Sequence, residues 1–129
     1  MQATTLLLLV EDDELSLWAL EEALREGGFG LSLAKTGEEA IAALESHTEA
    51  IRGLITDVNL GPGSDGWAVA RRGRELIPEL PVVYMTGAAA QEWTAKGVPQ
   101  SILLAKPFAP AQIITAIAGL INAKDGRQG

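Results

Sequence analysis

Residues 53–63 read GLITDVNLGPG, and the prediction of the fold starts from this stretch. Its apolar and β-branched residues lead into a carboxylate, Asp57, after which the chain turns to glycine and proline. A short apolar run bounded by turn residues is typical of a strand that is buried on both faces. Asp57 is therefore predicted at the carboxyl end of a central strand, where open α/β sheets place their ligand sites. The alternative is that Asp57 caps the following turn, where aspartate is common.

Length and composition favour one ordinary folded domain. The chain has 129 residues, of which 47% are hydrophobic and 21% charged, so it is long and apolar enough to bury a core. It contains no cysteine, which excludes disulfides and thiolate sites, and its one histidine excludes a multi-histidine metal site. We predict a single domain over residues 1–129, with its core at about 4–123 and a frayed tail at 124–129.

The charge and the apolar segments limit the partners. A net charge of −7 opposes direct binding to nucleic acid, because such binding depends largely on neutralising phosphates. The apolar run Leu6–Val10 is far too short to span a membrane and has no charged region or cleavage site of a signal peptide. We therefore expect a cytoplasmic protein that binds neither nucleic acid nor membrane.

Strand-like and helix-like segments alternate along the chain. The first strand, Thr4–Val10, ends in Glu11, Asp12 and Asp13, and thus repeats the pattern of a strand followed by carboxylates. Further strands are predicted around Leu31–Leu33, where apolar and polar residues alternate, before Asp57, over Pro81–Thr86 and over Ser101–Ala105. Helices are predicted after Asp13, after the capping box that starts at Thr36, over Gly66–Ile77, briefly over Ala88–Lys96, and from Pro110.

Five strand–helix pairs with short connections predict an α/β fold, a (βα)5 three-layer sandwich in which helices cover both faces of a parallel five-stranded sheet. Right-handed crossovers leave few topologies. The alternating second strand belongs at an edge, whereas the first, third and fourth are apolar enough to be central. This pattern predicts the flavodoxin-like strand order 2-1-3-4-5, with a crevice between strands 1 and 3.

Four strand ends bring polar residues to one edge of the predicted sheet: Glu11 and Asp12, Asp57, Thr86, and Lys106. Three carboxylates crowd together only with a cation, because each raises the pKa of the others, and an all-oxygen site suits Mg²⁺. A lysine and a hydroxyl beside that site suit the oxygens of a phosphoryl group. Each residue also has an ordinary alternative: a helix-start charge, a turn residue or a surface lysine.

Four motifs, LLLVEDD, LITDVNL, VVYMTG and LAKPF, stand in an order that resembles the receiver domains of bacterial two-component response regulators. The resemblance is chemotaxis-receiver-like and covers nearly all of the chain. It implies the flavodoxin-like fold and a phosphoacceptor role in a phosphorelay, in which the domain signals by conformational change. It also implies a non-enzyme that does no more than phosphorylate itself on aspartate and slowly lose the phosphoryl group.

The resemblance assigns roles to individual residues. It implies that Asp57 accepts the phosphoryl group, and that Glu11, Asp12, Asp57 and the main-chain carbonyl of Asn59 hold Mg²⁺. It further implies that the donor is a phosphohistidine on a sensor histidine kinase or a histidine phosphotransfer protein.

The same resemblance implies that Thr86 and Lys106 bind the phosphoryl oxygens, while the small residue Gly87 leaves room for the group to enter. In similar proteins the bond between Lys106 and Pro107 is cis, and X–Pro bonds adopt the cis form most readily.

Three departures from the family's pattern affect the switch. The loop Val58–Asp65 is longer than usual, and the interval from Thr86 to Lys106 is shorter. Leu103 stands where many relatives carry a tyrosine or phenylalanine that rotates inward. We therefore expect the phosphoryl group to act by ordering the connection Gly87–Gln100 and the loop Val58–Asp65.

Two other functions remain open at this stage. One is a receiver-shaped interaction module that does not take phosphate, and the other is a Mg²⁺-dependent phosphohydrolase that also forms an aspartyl phosphate. Such hydrolases typically carry an Asp-x-Asp pair on the first strand, whereas Asp57 and Asn59 follow the third. The sequence leaves open a homodimer, and also whether the domain stands alone or belongs to a hybrid kinase.

Overall fold

A computed structural model describes residues 4–88 and 90–128. Strands and helices alternate along them, as the sequence predicts. The strands are β1 (Leu6–Val10), β2 (Gly30–Ala34), β3 (Ile51–Asp57), β4 (Val82–Thr86) and β5 (Ile102–Ala105). The helices are α1 (Glu14–Glu26), α2 (Gly37–Ser46), α3 (Gly66–Leu76), α4 (Trp93–Lys96) and α5 (Pro110–Gln128), with a 3-10 turn at Ala90–Glu92.

The five strands form one parallel sheet in the order β2-β1-β3-β4-β5, which confirms the predicted topology. Strand β3 lies at the centre, where Thr56 pairs with Val10 of β1 and with Tyr84 of β4. Because parallel strands all end at the same edge, this register brings the residues after β1, β3, β4 and β5 together.

Two apolar layers cover the sheet, one on each face. Helices α2 and α3 pack on one face and α1 and α5 on the other, which gives the predicted three-layer sandwich. Strand residues alternate between the two layers, so the central strands read as continuous apolar runs. The largest fully buried side chains are those of Trp67, Tyr84, Leu7, Leu8, Leu9, Leu24, Leu44, Ile51, Leu54, Ile55, Leu80 and Met85.

Side-chain caps begin the three helices that follow β1, β2 and β3. Asp13 accepts a hydrogen bond from the Ser16 amide at 2.9 Å, and Thr36 accepts one from the Glu39 amide at 3.0 Å. Asp65 caps α3 in the same way, through the amide of Ala68 at 2.9 Å. Each cap satisfies an amide that the first helical turn leaves without a partner, and so fixes where the helix starts.

The ends of some elements differ from the predictions. Strand β1 begins at Leu6 rather than Thr4. Helix α5 continues to Gln128, whereas the sequence predicts a frayed tail from 124. This last turn contains no proline, and the Arg52 guanidinium lies 3.6 Å from the Asp125 carboxylate. Residues 1–3, 89 and 129 lie outside the described part, so the domain limits remain a prediction.

The segment after β4 is helical only briefly, as expected from Gly97 and Pro99. A 3-10 turn is followed by the four residues of α4, and Gly97 ends that helix. Within the described residues, no helix is both long and apolar enough to cross a membrane.

Candidate functional site

Main-chain hydrogen bonds place the site residues at the carboxyl edge of the sheet. The amides of Glu11, Val58 and Lys106 donate to carbonyls of the neighbouring strands at 2.8–3.1 Å, each just past the end of its own strand. The sheet therefore extends by one residue at three strand ends. This extension fixes the backbone from which the Glu11 and Lys106 side chains project, and it also fixes the residue that follows Asp57.

Lys106 bridges two buried carboxylates. Its Nζ atom lies 3.2 Å from Oε1 of Glu11 and 3.1 Å from Oδ2 of Asp57. Glu11 is fully buried and Asp57 is only 7% exposed. The lysine thus offsets part of the negative charge next to the Asp57 carboxylate.

Glu11, Asp12 and Asp57 form an acidic cluster. Each offers one carboxylate oxygen, and these oxygens lie within 4.8 Å of one another. The side chain of Asp12 is exposed to solvent, so the cluster is open on one side. Three carboxylates around an open position, with one lysine to offset them, fit a hard divalent cation such as Mg²⁺ that keeps several of its waters.

Burial changes the titration of this site. It raises the pKa of Glu11 to about 7, and the negative charge of Asp57 also raises it. Hydrogen bonds from the Asp13 amide and from Lys106 lower this pKa and offset part of the rise. For Lys106, burial lowers the pKa, but hydrogen bonds and charge from Asp57 and Glu11 outweigh it and leave the pKa above its usual value. Lys106 therefore stays protonated at neutral pH.

Thr86 and the residues beside it complete the edge. Thr86 is buried, and its Oγ1 atom accepts a hydrogen bond from the Ala88 amide at 3.2 Å. Gly87 is exposed, and a Cβ atom there would meet no other atom within 4 Å, so the entrance is open. The bond between Lys106 and Pro107 is cis, as the sequence analysis expects.

Leu103 lies on strand β5 beside Tyr84 of β4. It is partly buried and packs against the apolar layer formed with α2 and α3. Strand β5 therefore contributes an aliphatic side chain to the core at this position.

A cavity of about 310 Å³ adjoins the site, lined by Glu11, Ser16, Ala19, Leu20, Lys106, Pro107, Phe108 and Pro110. Helix α1 borders this cavity and also exposes apolar side chains to solvent. Leu15 is 79% exposed and Trp18 is 65% exposed.

The loop from Val58 to Asp65 is held against α2, a contact that the sequence analysis missed. The Ser64 amide donates to Oε2 of Glu38 at 3.0 Å. A Cβ atom on Gly37 would overlap the main-chain carbonyl of Ser64, so only glycine permits this approach. Asn59 is exposed within this loop, two residues after Asp57. A glycine directly after the capping Thr36 is the one signal in the sequence that could have indicated the contact.

Comparison with known proteins identifies the family to which this fold and site belong. A family model described as the response regulator receiver domain matches residues 7–118, which include every residue of the site. The chain belongs to this family. The receiver domain is a signalling domain of two-component systems, and this assignment confirms the resemblance seen in the motifs.

Curated relatives of the receiver domain are longer proteins. The transcriptional regulatory protein TctD of Salmonella typhimurium is 34% identical over 124 residues, which are 94% of this chain and 54% of that protein. The DNA-binding transcriptional regulator NtrC of the same species is 33% identical over 102 residues, which are 78% of this chain and 21% of that protein. The chain thus spans about half or less of the length of these relatives.

Solved structures of receivers share the fold. A response regulator receiver protein from Sinorhizobium medicae is 43% identical and superposes with a TM-score of 0.90, covering 93% of this chain and 96% of that one. The receiver domain of a sensor histidine kinase from Pseudomonas aeruginosa is 25% identical with a TM-score of 0.78, covering 93% of this chain and 99% of that one. That receiver was solved with a magnesium ion coordinated in its active-site cleft.

Proposed function

We propose that this receiver domain accepts a phosphoryl group on Asp57 from a phosphohistidine of a sensor histidine kinase or a histidine phosphotransfer protein, and signals by changing conformation. One observation carries the proposal. The Asp57 carboxylate lies at the end of the central strand, 3.1 Å from Lys106 Nζ and within the acidic cluster, at an edge that is open at Gly87. Phosphoryl transfer depends mainly on such positioning and on charge compensation.

The transfer itself follows from this arrangement. A carboxylate oxygen of Asp57 attacks phosphorus, the O–P bond forms, and the N–P bond of the phosphohistidine breaks. The released imidazole takes a proton from solvent. Lys106 and the hydroxyl of Thr86 are placed to bind the oxygens of the transferred group. Slow attack of water on phosphorus then breaks the O–P bond, releases inorganic phosphate and returns Asp57 to a carboxylate, so we expect no turnover on a separate substrate.

Mg²⁺ fits the acidic cluster. Glu11, Asp12 and Asp57 would hold it through carboxylate oxygens, together with the main-chain carbonyl of Asn59. Bound Mg²⁺ would neutralise negative charge on the oxygens of the phosphoryl group during its transfer. Support comes from the excess of three carboxylates over one lysine, and from the magnesium ion in the related receiver from Pseudomonas aeruginosa.

Next to the site, this domain presents an accessible surface to which a phosphodonor protein could bind. Leu15 and Trp18 of α1 are exposed apolar residues that adjoin, along the chain, Ser16 and Ala19, which line the cavity beside Lys106. The nearby Glu22 is an exposed acid, whereas Glu14 is paired with Lys35 at 2.6 Å. This combination favours a donor whose contact surface is apolar with a basic rim.

Labelling by a small phosphodonor tests the proposal. Acetyl phosphate and Mg²⁺ should add one phosphoryl group, measured as intact mass, and the group should be lost in hydroxylamine because it is an acyl phosphate. Asp57→Asn should take no label. Asp13→Asn is the matched control, because asparagine also caps a helix and Asp13 lies at the same edge.

The outcomes separate the three functions. Equal labelling of wild type and Asp57→Asn would refute the assignment of Asp57. Failure to label either protein would favour the interaction module that does not take phosphate. Steady release of phosphate from many phosphomonoesters would favour the phosphohydrolase.

A further inference from the structure

The stretch from 90 to 98, called the α4 segment below, has few contacts with the rest of the domain. Every residue from Ala90 to Lys96 is exposed. The 3-10 turn and α4 pack mainly on each other, whereas each of the other helices packs on the sheet. A segment with so little burial depends on a small number of side-chain hydrogen bonds for its position.

Trp93 supplies one of these bonds. Its Nε1 donates to Oγ of Ser101 at 2.9 Å, and that hydroxyl donates in turn to the Val98 carbonyl at 2.6 Å. The indole lies against Gly97, where a Cβ atom would come within 2.8 Å of Nε1. The ring is 36% exposed, so it forms part of the surface while it is attached to the start of β5.

The two ends of the segment are attached to strand β4. At the far end, the Val98 amide donates to the Tyr84 hydroxyl at 3.1 Å, and Tyr84 is held in the core with its ring 4.6 Å from that of Trp67. Just before the near end, the Ala88 amide donates to Thr86 at 3.2 Å. Of these attachments, only the one at Thr86 belongs to the site around Asp57.

We propose that the hydrogen bond from Trp93 to Ser101 is a latch that holds the α4 segment in the arrangement seen here and opposes the rearrangement that a phosphoryl group on Asp57 requires. The inference rests on the proposed function. It assigns to Trp93 and Ser101 an indirect part in the response, which they play through the α4 segment and not through contact with the phosphoryl group.

The reason lies in the attachment at Thr86 and the short chain that follows it. The Thr86 hydroxyl, which is to bind a phosphoryl oxygen, also accepts the hydrogen bond from the Ala88 amide at 3.2 Å, so a shift of this hydroxyl toward the phosphoryl group would displace Ala88. Few residues separate Ala88 from Trp93, so a displacement of Ala88 pulls on the indole. Leu103 has no ring that could follow Thr86 instead. The latch therefore resists the change, and by linkage its removal should favour the phosphorylated arrangement.

Beryllofluoride, which mimics the phosphoryl group, provides the test in the presence of Mg²⁺. Trp93→Phe keeps a ring but removes the N–H donor, and it should tighten beryllofluoride binding about two- to tenfold, the range expected for one hydrogen bond. Ser101→Ala should do the same. The double variant should match Ser101→Ala, because both changes remove the bond from Trp93, and Ser101→Ala also removes the bond to the Val98 carbonyl.

Thr94→Ala is the matched control, since it shortens an exposed side chain of the same short helix and should leave the dissociation constant unchanged. A gain in affinity distinguishes a latch from a merely structural contact, whose loss would weaken binding or leave it as it was. Trp93→Phe binding that is equal to or weaker than wild type overturns the latch. If wild type itself binds no beryllofluoride, the proposed function fails instead, and the latch as a coupling device fails with it.

Discussion

The two connections that leave the site differ in how they are held. The loop from Val58 to Asp65 follows β3 and is fixed near both of its ends. Its Leu60 is buried, its Ser64 is bound by Glu38, and Asp65 caps α3. The α4 segment, which follows β4, is exposed from Ala90 to Lys96 and is attached by single hydrogen bonds and by the buried side chain of Val98. The loop next to Asp57 is therefore part of the rigid scaffold, and the α4 segment is the part that can respond.

This difference changes the expected response to phosphorylation. From the sequence alone, both connections are expected to become ordered. The contacts of the loop with α2 now lead us to expect little change there and most of the change between 90 and 98. The following predictions challenge that division, beginning with the largest expected effect.

Gly37→Ala should disturb the fixed loop most strongly. The new Cβ atom would overlap the main-chain carbonyl of Ser64, so α2 and the loop must separate. Overpacking of this kind lowers the free energy of unfolding by roughly 1–3 kcal/mol. Urea denaturation measures the change.

Gly119→Ala is the matched control for Gly37→Ala. Gly119 is an exposed glycine in α5, and a Cβ atom there would meet nothing within 4 Å. The free energy of unfolding of this variant should rise by about 0.5–1 kcal/mol, because alanine is more favourable than glycine inside a helix. Equal stability of the two variants would show that the loop is not held as described.

Mg²⁺ should stabilise the domain, because it relieves the repulsion among the carboxylates of Glu11, Asp12 and Asp57. At ten times its dissociation constant it should add on the order of 1.4 kcal/mol to the free energy of unfolding. Thermal melting at fixed ionic strength measures the shift. Asp12→Ala should remove most of it, whereas Glu22→Ala, which removes an exposed acid elsewhere on α1, should not. A melting curve that millimolar Mg²⁺ leaves unchanged would count against the metal site.

The size of the Mg²⁺ effect should depend on pH. The pKa of Glu11 is raised from 4.5 to about 7, mainly by burial, so without metal its stabilising contribution is full below pH 4.5 and is lost as the pH rises through 7. Mg²⁺ compensates the charge that then forms. The increase in melting temperature that Mg²⁺ causes should therefore become larger between pH 5 and pH 8. In Glu11→Gln this increase should depend less on pH. A shift that decreases over this range would contradict the assignment.

Gly97→Ala should have the smallest effect on stability and still loosen the α4 segment. Its Cβ atom would displace the partly exposed indole of Trp93 and would come within 2.8 Å of the Trp93 main-chain carbonyl, so the ring and the end of the short helix α4 must both shift. Hydrogen exchange between 90 and 98 should become faster, while exchange in the loop from Val58 to Asp65 stays as in wild type. Faster exchange in both connections would remove the distinction between them.

How well the sequence predicts a feature depends on whether the residues that determine it lie close together along the chain. The strand order and the helix caps at Asp13 and Thr36 were predicted correctly, because apolar runs and capping residues act within a few positions of the chain. The end of α5 was not, because the polar residues after 123 predict a frayed tail, whereas the helix continues to Gln128. The roles of the individual site residues remain predictions that the labelling and Mg²⁺ experiments test.

The positions of the carboxylates, the hydroxyl and the lysine relative to the strand ends follow from the order of residues along the chain, because a parallel sheet brings those strand ends to a common edge. What surrounds these side chains follows from the packing of the helices and loops. The approach of Ser64 to Gly37 and the bond from Trp93 to Ser101 depend on atoms that meet through packing. No periodicity encodes such contacts, since each arises from the distance between two elements once the core has formed.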